Sequence, residues 1–207
     1  MSQLGTSVSK AFTDAGNQVG DLVGQLPVAH ASAAEVMADV SGDDGEVSEP
    51  GMTHDCGFSP EGSSLDRVLK AISEVHPEGE QKATILVTAY ELTSPEVAEA
   101  LVKAHDRHVL VAVVADPTEN RKRASKVGYL IEHGIEVRFD NKRSMIHDKD
   151  MVLGGSTVET GSFNYTRAAA SDEHAENACV FRHVPKMAAQ YIRHWKLLWT
   201  ESDRADL

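Results

Sequence analysis

The sequence has few of the residues that build disulfide-rich or membrane-spanning proteins. Its 207 residues include only two cysteines, Cys56 and Cys179, and neither belongs to a CxxC or CxxH pair. Two isolated cysteines exclude a disulfide scaffold and disfavour a structural zinc site, which needs four ligands. They leave open whether the two thiols are free or bridged. No apolar run approaches the roughly 18 residues that a transmembrane helix needs, so stable membrane insertion is not expected.

Basic residues are also scarce, particularly at the start of the chain. Lys and Arg number 20 against 32 Asp and Glu, which gives a formal net charge of −12. Residues 1–57 hold nine acidic residues and a single basic one, Lys10. This balance argues against an indiscriminate polyanion binder. Residues 58–207 are closer to neutrality and can therefore carry a local basic face.

The change in composition near residue 57 predicts two parts. Residues 41–51 are acidic, lack aromatic side chains and contain Gly and Pro, which is typical of a solvated linker. We therefore expect an acidic N-terminal extension and linker over 1–57, partly disordered or a degenerate export signal, and a folded domain over 58–207. The AHASA segment at 29–33 is similar to the end of a secretory signal, but no basic segment or apolar core precedes it. The compartment stays open between a periplasmic or secreted location and the cytoplasm.

A regular alternation of strand and helix patterns begins after residue 58. Alternation of this kind predicts a layered sheet with helices on both faces. The apolar stripe of the last helix is expected to pack in the core rather than to stack on nucleic-acid bases. The predicted helices span 63–75, 94–107, 121–133 and 185–199, and the predicted strands span 83–90, 109–115, 135–139, 145–153, 157–160 and 177–182.

Chemically reactive side chains are densest between residues 145 and 164. Residues 145–153 read MIHDKDMVL, and a GSFN run follows at 161–164. If 145–153 is one strand, alternation places His147 and Lys149 on one face, about 7 Å apart. Pairing with the next strand would bring an imidazole, an ammonium, a hydroxyl and an amide to one place. That set suits a phosphate, because it supplies a nitrogen nucleophile, a cation and neutral donors for the phosphate oxygens.

The H-x-K at 147–149 and the G-S-x-N at 161–164 resemble the HKD motif of the phospholipase D superfamily. Together with Thr166, Ala168, Ala169 and the ENA run at 176–178, they resemble the small bacterial Nuc-type endonucleases of that superfamily. The FSPEG run at 58–62 is similar to the start of that nuclease domain. The resemblance covers roughly residues 56–200 and implies the phospholipase D/nuclease fold, an α/β/α sandwich with a mixed, largely central β-sheet.

The resemblance implies a phosphodiesterase that needs neither a metal ion nor a cofactor. Within that class it implies an endonuclease without sequence specificity. It makes His147 the nucleophile that forms a phosphohistidine, with a second histidine as general acid and then base. Lys149 and Asn164 would bind the non-bridging oxygens, with Ser162 assisting. Glu176 matches the carboxylate that orients the nucleophilic imidazole, and Glu173 is the neighbouring alternative.

One motif supplies one histidine, whereas the reaction needs two. Eight of the other nine histidines have no Lys two residues further on, and His194, which is followed by Lys196, has no G-S-x-N run after it. A C2 homodimer, in which His147 of each chain faces one shared site, is the economical solution, and the resemblance implies it as well. We therefore expect a second copy of the chain as a partner.

The sequence departs from the family motif at one position. The motif has Asp seven residues after the histidine, and this sequence has Gly154 there. A catalytically weakened module that only binds nucleic acid is therefore one alternative, and a phospholipase D-type lipid hydrolase is another. A metal site built from His147, Asp148, Asp150 and His174 is disfavoured, since alternation splits the first three between two faces. A serine hydrolase centred on Ser162 is excluded, because the nucleophile-elbow motif is missing.

Two short basic runs are the candidates for contacts with a nucleic-acid backbone. If they flank the site they would bind neighbouring phosphates of DNA, or of RNA, and make binding sensitive to salt. No aromatic residues are interleaved with them, so base-specific recognition is not expected. The alternative is a solvated helix face. The predicted substrate-binding residues are Arg121, Lys122, Arg123, Lys142 and Arg143.

Overall fold

The structure is a computed structural model that describes residues 49–78 and 83–206. The predicted extension up to residue 48, including the AHASA segment, lies outside these residues. The strands are β1 (Thr53–Ser59), β2 (Thr84–Ala89), β3 (Leu110–Ala115), β4 (Glu136–Phe139), β5 (Lys149–Leu153), β6 (Thr157–Gly161), β7 (Glu176–Arg182) and β8 (Asp203–Arg204). The helices are α1 (Ser63–Ser73), α2 (Pro95–Asp106), α3 (Pro117–Asn120), α4 (Val127–Glu132) and α5 (Pro185–Glu201).

All eight strands form one mixed sheet in the order β1-β7-β6-β5-β2-β3-β4-β8. The pairs β2–β3 and β3–β4 are parallel, as α/β crossovers require, and every other pair is antiparallel. β2 and β3 are interior strands of the sheet, which explains why their sequences, TILVTA and LVAVVA, are almost continuously apolar. The predicted mixed central sheet is confirmed.

Helices cover both faces of the sheet, so the sandwich is also confirmed. α1, α2 and α4 bury residues such as Ile72, Leu101 and Leu130 in one core. α5 covers the other face and buries Ile192 and Trp195 in a second core. No helix in the described ranges is long and apolar enough to cross a membrane.

Two predicted elements are broken by loops, because polar side chains bind backbone groups there. Of the helix predicted over 121–133, only α4 forms, and a loop separates it from α3. The Asn120 amide donates to the Tyr90 and Asp116 carbonyls, and Ser125 Oγ accepts from Val127 N–H. The strand predicted over 145–153 begins only at Lys149, because Ile146 N–H donates to Asp116 Oδ2 at 3.0 Å instead of to a strand partner.

β1 begins at Thr53, before the predicted boundary between residues 57 and 58. It pairs with β7 along its whole length, and a disulfide joins Cys56 to Cys179 across the pair. Glu49, from the segment predicted as a solvated linker, is buried and accepts the N–H groups of Lys186 and Met187 at the start of α5. The folded domain therefore includes residues that composition alone assigns to the acidic extension.

Candidate active site

The reactive residues meet at one end of the interior strands, where β2 and β6 end and β5 and β7 begin. Ala89 at the end of β2 pairs with Lys149 at the start of β5. Gly161 at the end of β6 pairs with Ala178 near the start of β7. This register gathers residues from distant parts of the chain around one cavity of about 300 Å³. The lining residues are His147, Asp148, Lys149, Asp150, Thr160, Gly161, Ser162, Tyr191 and His194.

His147 and Lys149 lie on the same side of the chain, as alternation predicts, although only Lys149 is part of a strand. Both contact Tyr90: the His147 ring lies 4.8 Å from the Tyr90 ring, and Lys149 Nζ lies 5.0 Å from its centroid. The Lys149 ammonium donates to the His147 carbonyl. Because Lys149 is only 8% exposed, burial lowers the pKa of its ammonium. A poorly hydrated cation beside an exposed imidazole is well placed to bind an anion.

Ser162 is held by the start of β7. Its Oγ donates to Glu176 Oε2 at 2.5 Å and accepts from Asn177 N–H at 3.0 Å. The Asn177 carbonyl in turn accepts the N–H groups of Ser162 and Phe163. A Cβ on Gly161 would lie 2.1 Å from that carbonyl oxygen, so only glycine permits this approach.

Two of the predicted site residues have different surroundings from those expected. Glu176 contacts Ser162 and His174, whose Nδ1 lies 3.3 Å from Glu176 Oε1, and not the His147 imidazole. Asn164 does not line the cavity, and its buried Oδ1 has no hydrogen-bond partner among the described residues. The neighbouring alternative, Glu173, is exposed. The predicted roles of Glu176 and Asn164 stay predictions.

A second pair of titratable side chains lines the cavity: His194 from α5 and Asp148 from the residue before β5. His194 Nε2 lies 2.9 Å from Asp148 Oδ2. The Asp148 carboxylate raises the pKa of His194, and the same hydrogen bond lowers the pKa of Asp148. Sequence reasoning missed this pair, since it assigned Asp148 to the far face of a strand and considered the other histidines only as members of a second HKD motif.

Two buried carboxyl groups lie on adjacent strands, and one of them, Asp150, lines the cavity. Burial raises the pKa of Asp150 to about 7, with a further contribution from Asp148. Burial also raises the pKa of Glu159 to about 8, although the Tyr165 hydroxyl donates to it at 2.8 Å. These groups keep protons that exposed carboxyl groups lose, so the protonation of Asp150 limits the negative charge in the cavity wall.

The predicted substrate-binding residues are mostly engaged in ion pairs. Arg121 contacts Asp206, Lys122 contacts Glu119, and Lys142 and Arg143 both contact Glu201. Arg123 is exposed. None of these five residues lines the cavity. A backbone-binding role for the set stays a prediction.

Gly154 lies far from the reactive residues. It forms the turn between β5 and β6 with Gly155, and both have left-handed backbones, with φ of 59° and 74°. Lys149 and Gly154 stand at opposite ends of β5, roughly 17 Å apart at strand spacing. Glycine at this position satisfies the turn, so its place in the fold is structural.

No group of three or more His, Cys, Asp or Glu side chains within 49–78 and 83–206 converges in a way that would hold a metal ion. The disfavoured metal site from His147, Asp148, Asp150 and His174 is therefore not assembled in this part of the chain. Asp148 is used instead by His194, and His174 lies beside Glu176.

Comparison with known proteins identifies the family. The domain described as "Cardiolipin synthase, PLD-like domain" matches residues 79–199, more than half of the chain. The chain belongs to the phospholipase D superfamily. The structure of Nuc from Salmonella typhimurium, described as a phospholipase D family member, is 37% identical and matches with a TM-score of 0.69, over 75% of this chain and 99% of that one.

Curated relatives carry names with different substrates. A mitochondrial cardiolipin hydrolase of Chlamydomonas reinhardtii is 26% identical over 70% of this chain and 61% of its own length. A phospholipase D of Rickettsia bellii is 32% identical over 55% of this chain and 56% of its own length. The chain thus spans little more than half of these relatives. Membership of the superfamily establishes a phosphodiester hydrolase fold, and the substrate is a separate question.

Proposed function

We propose that the protein is a non-specific endonuclease that hydrolyses nucleic-acid phosphodiester bonds through a phosphohistidine on His147. The observation that carries this proposal is the cavity in which His147, Lys149 and Ser162 meet. The similarity to Nuc over almost the whole of that chain supports a nuclease rather than another superfamily activity. The substrate is DNA, with RNA as the alternative nucleic acid.

The reaction proceeds in two displacements at phosphorus. A His147 ring nitrogen attacks the phosphorus, and the P–O bond to the leaving strand breaks. A second imidazole protonates the departing oxygen. It then removes a proton from water, which attacks the phosphohistidine and restores His147. Lys149 stabilises the charge on the non-bridging oxygens, with Asn164 as a neutral donor and Ser162 assisting, so neither step requires a metal ion or a cofactor.

The second imidazole is proposed to come from a second copy of the chain. In a C2 homodimer, the two His147 side chains face each other across a single scissile phosphate. Sedimentation velocity at the concentration of the nuclease assay tests this, and we expect the mass of a dimer. A monomer that cleaves DNA at the full rate would contradict a shared site.

Plasmid nicking in the presence of EDTA tests the proposed activity. We expect the full chain to nick supercoiled plasmid in EDTA, and His147→Asn to be slower by at least about a thousandfold. His76→Gln is the matched control, because His76 is exposed and follows the end of α1. Equal nicking by the wild type and His147→Asn, or wild-type nicking that EDTA abolishes, would refute the proposal.

Lipid hydrolysis is the second candidate, and the names of the curated relatives favour it. The same chemistry at His147 would cleave a phospholipid headgroup ester. Release of headgroup from phosphatidylglycerol or cardiolipin vesicles, measured beside plasmid nicking, separates the two candidates. Hydrolysis of vesicles without nicking would assign the protein to lipids.

A further inference from the structure

We propose that His194, held by Asp148, binds the phosphate next to the scissile one, so that the site recognises two consecutive phosphodiesters of a nucleic-acid strand. This inference rests on the proposed nuclease function and names the feature of the substrate that the cavity selects. His147 and His194 line the same cavity, the first from the loop before β5 and the second from α5. Asp148 links them, because it follows His147 in the chain and contacts His194 through its side chain.

The exposure of the pair argues against a purely structural role. The side chain of His194 is 51% exposed and that of Asp148 is 44% exposed. Ion pairs this exposed typically add less than about 1 kcal/mol to folding stability, since water screens them. Folding alone therefore gives little reason for an Asp–His pair in the wall of the cavity.

The geometry leaves one donor of the imidazole for a ligand. Nε2 of His194 is used by Asp148, so in the protonated ring Nδ1–H remains available to an anion in the cavity. The carboxylate raises the pKa of His194 and so favours the protonated ring near neutral pH. Asp148 thus orients the His194 ring and stabilises its positive charge.

The charged groups around His194 permit an anion there. Asp148 and Asp150 face it from the chain at the start of β5, and both favour its protonated form. Burial raises the pKa of Asp150 to about 7, which limits its negative charge at neutral pH. Arg143 acts on His194 from the loop before β5 and adds positive charge. Tyr191, from the preceding turn of α5, is a neutral neighbour in the cavity wall.

Two phosphate positions in one cavity define a class of substrate. Consecutive phosphates of a nucleic-acid strand are separated by three carbon atoms of the sugar, with Lys149 and His147 at the first position and His194 at the second. Cardiolipin has the same chemistry, because three glycerol carbons separate its two phosphodiesters. A nucleic-acid strand is the source that the likeness to Nuc favours.

Substrates that differ by one nucleotide, and therefore by one phosphodiester, test the inference. Dithymidylate has a single phosphodiester and trithymidylate has two. We expect His194→Gln to raise KM for trithymidylate about tenfold, the size of effect expected for one charge-assisted hydrogen bond, and to change KM for dithymidylate at least threefold less. His76→Gln is the control. An equal rise in KM, or an equal fall in kcat/KM, for both substrates would overturn the inference, because a structural or general-acid role of His194 would produce it.

A pH profile and a lipid pair complete the test. In the wild type, KM for trithymidylate should rise as His194 loses its proton, and Asp148→Asn should move this rise to lower pH. A profile that Asp148→Asn leaves in place overturns the inference. Discrimination between cardiolipin and phosphatidylglycerol, without discrimination between the two thymidylates, would overturn the assignment to nucleic acid. Wild-type protein that cleaves neither thymidylate would refute the nuclease function itself.

Discussion

Two buried carboxyl groups on adjacent strands have a consequence for stability. Asp150 is 4% exposed and Glu159 is 1% exposed, and burial raises their pKa values to about 7 and about 8. In the unfolded chain both groups titrate near pH 4. Between these values the folded state binds more protons than the unfolded state, so stability is greatest below about pH 4 for these groups and falls as pH rises through 7 and 8.

Substitution of Glu159 by Gln should remove part of this pH dependence. The amide keeps an acceptor for the Tyr165 hydroxyl but has no proton to lose. We expect the fall in melting temperature between pH 5 and pH 9 to be smaller in Glu159→Gln than in the wild type by at least about 2 °C. Thermal unfolding followed by circular dichroism measures it, with exposed Glu61→Gln as the control. Parallel curves for all three proteins would show that Glu159 is ionised in the folded state.

At the scale of single residues, the sequence predicted that His147, Lys149 and Ser162 meet but not which side chains contact them, and the catalytic roles of the three stay predictions. H-x-K and G-S-x-N predicted that His147, Lys149 and Ser162 meet, because their spacing places them at the ends of paired strands. His194 lies 46 residues from Asp148, and only the packing of α5 brings the two together. No local pattern contains that contact.

Among the elements, the loop that carries His147 depends on the cap of a short helix. Asp116 Oδ1 accepts the N–H groups of Thr118 and Glu119 at the start of α3. Its Oδ2 accepts Ile146 N–H at 3.0 Å, one residue before His147. One carboxylate therefore fixes both a helix end and the position of the candidate nucleophile.

Asp116→Ala should consequently lower both stability and activity. Loss of the cap costs about 1 kcal/mol, and the freed loop should reduce kcat for plasmid nicking by about tenfold. Ser94→Ala is the matched control, because Ser94 caps α2 through Val97 N–H and has no contact with this loop. Equal kcat values in variants of equal melting temperature would show that the loop is held by other contacts.

The boundaries of elements were predicted less well than their types. The apolar runs of β2 and β3 predicted buried strands, and the Ser94-Pro95 start of α2 is confirmed. The helix predicted over 121–133 was wrong in its first half, because contacts of Asn120 with Tyr90 and of Lys126 with Leu92, about 30 residues earlier, hold residues 121–126 in a loop. Such contacts depend on which strands are neighbours, and a single segment does not specify that.

For the whole molecule, the disulfide between Cys56 and Cys179 ties the first strand of the domain to a strand near its end. The bridge spans 123 residues of sequence. Cross-links that close long loops restrict the unfolded chain most, and typically add about 2 to 4 kcal/mol. β1 is an edge strand, so the bridge also keeps it on β7, whose first residues hold Ser162.

Removing the bridge should lower stability markedly. We expect the Cys56→Ser/Cys179→Ser double variant to melt roughly 5 to 15 °C below the oxidised wild type. Dithiothreitol should lower the melting temperature of the wild type to a similar value and leave that of the double variant unchanged. A wild-type melting temperature that does not respond to the reductant would mean that the two thiols are not joined in the folded protein.

The shared-site dimer and the two-phosphate cavity both depend on His147 as the nucleophile. Its most direct test is to mix the full chain with internally ³²P-labelled DNA in EDTA, quench in alkali, in which phosphohistidine survives, and map the labelled peptide. We predict that the label is attached to His147 and is absent from His147→Asn. Cleavage that proceeds at the wild-type rate with no label on His147, or with the label on another residue, would contradict the mechanism.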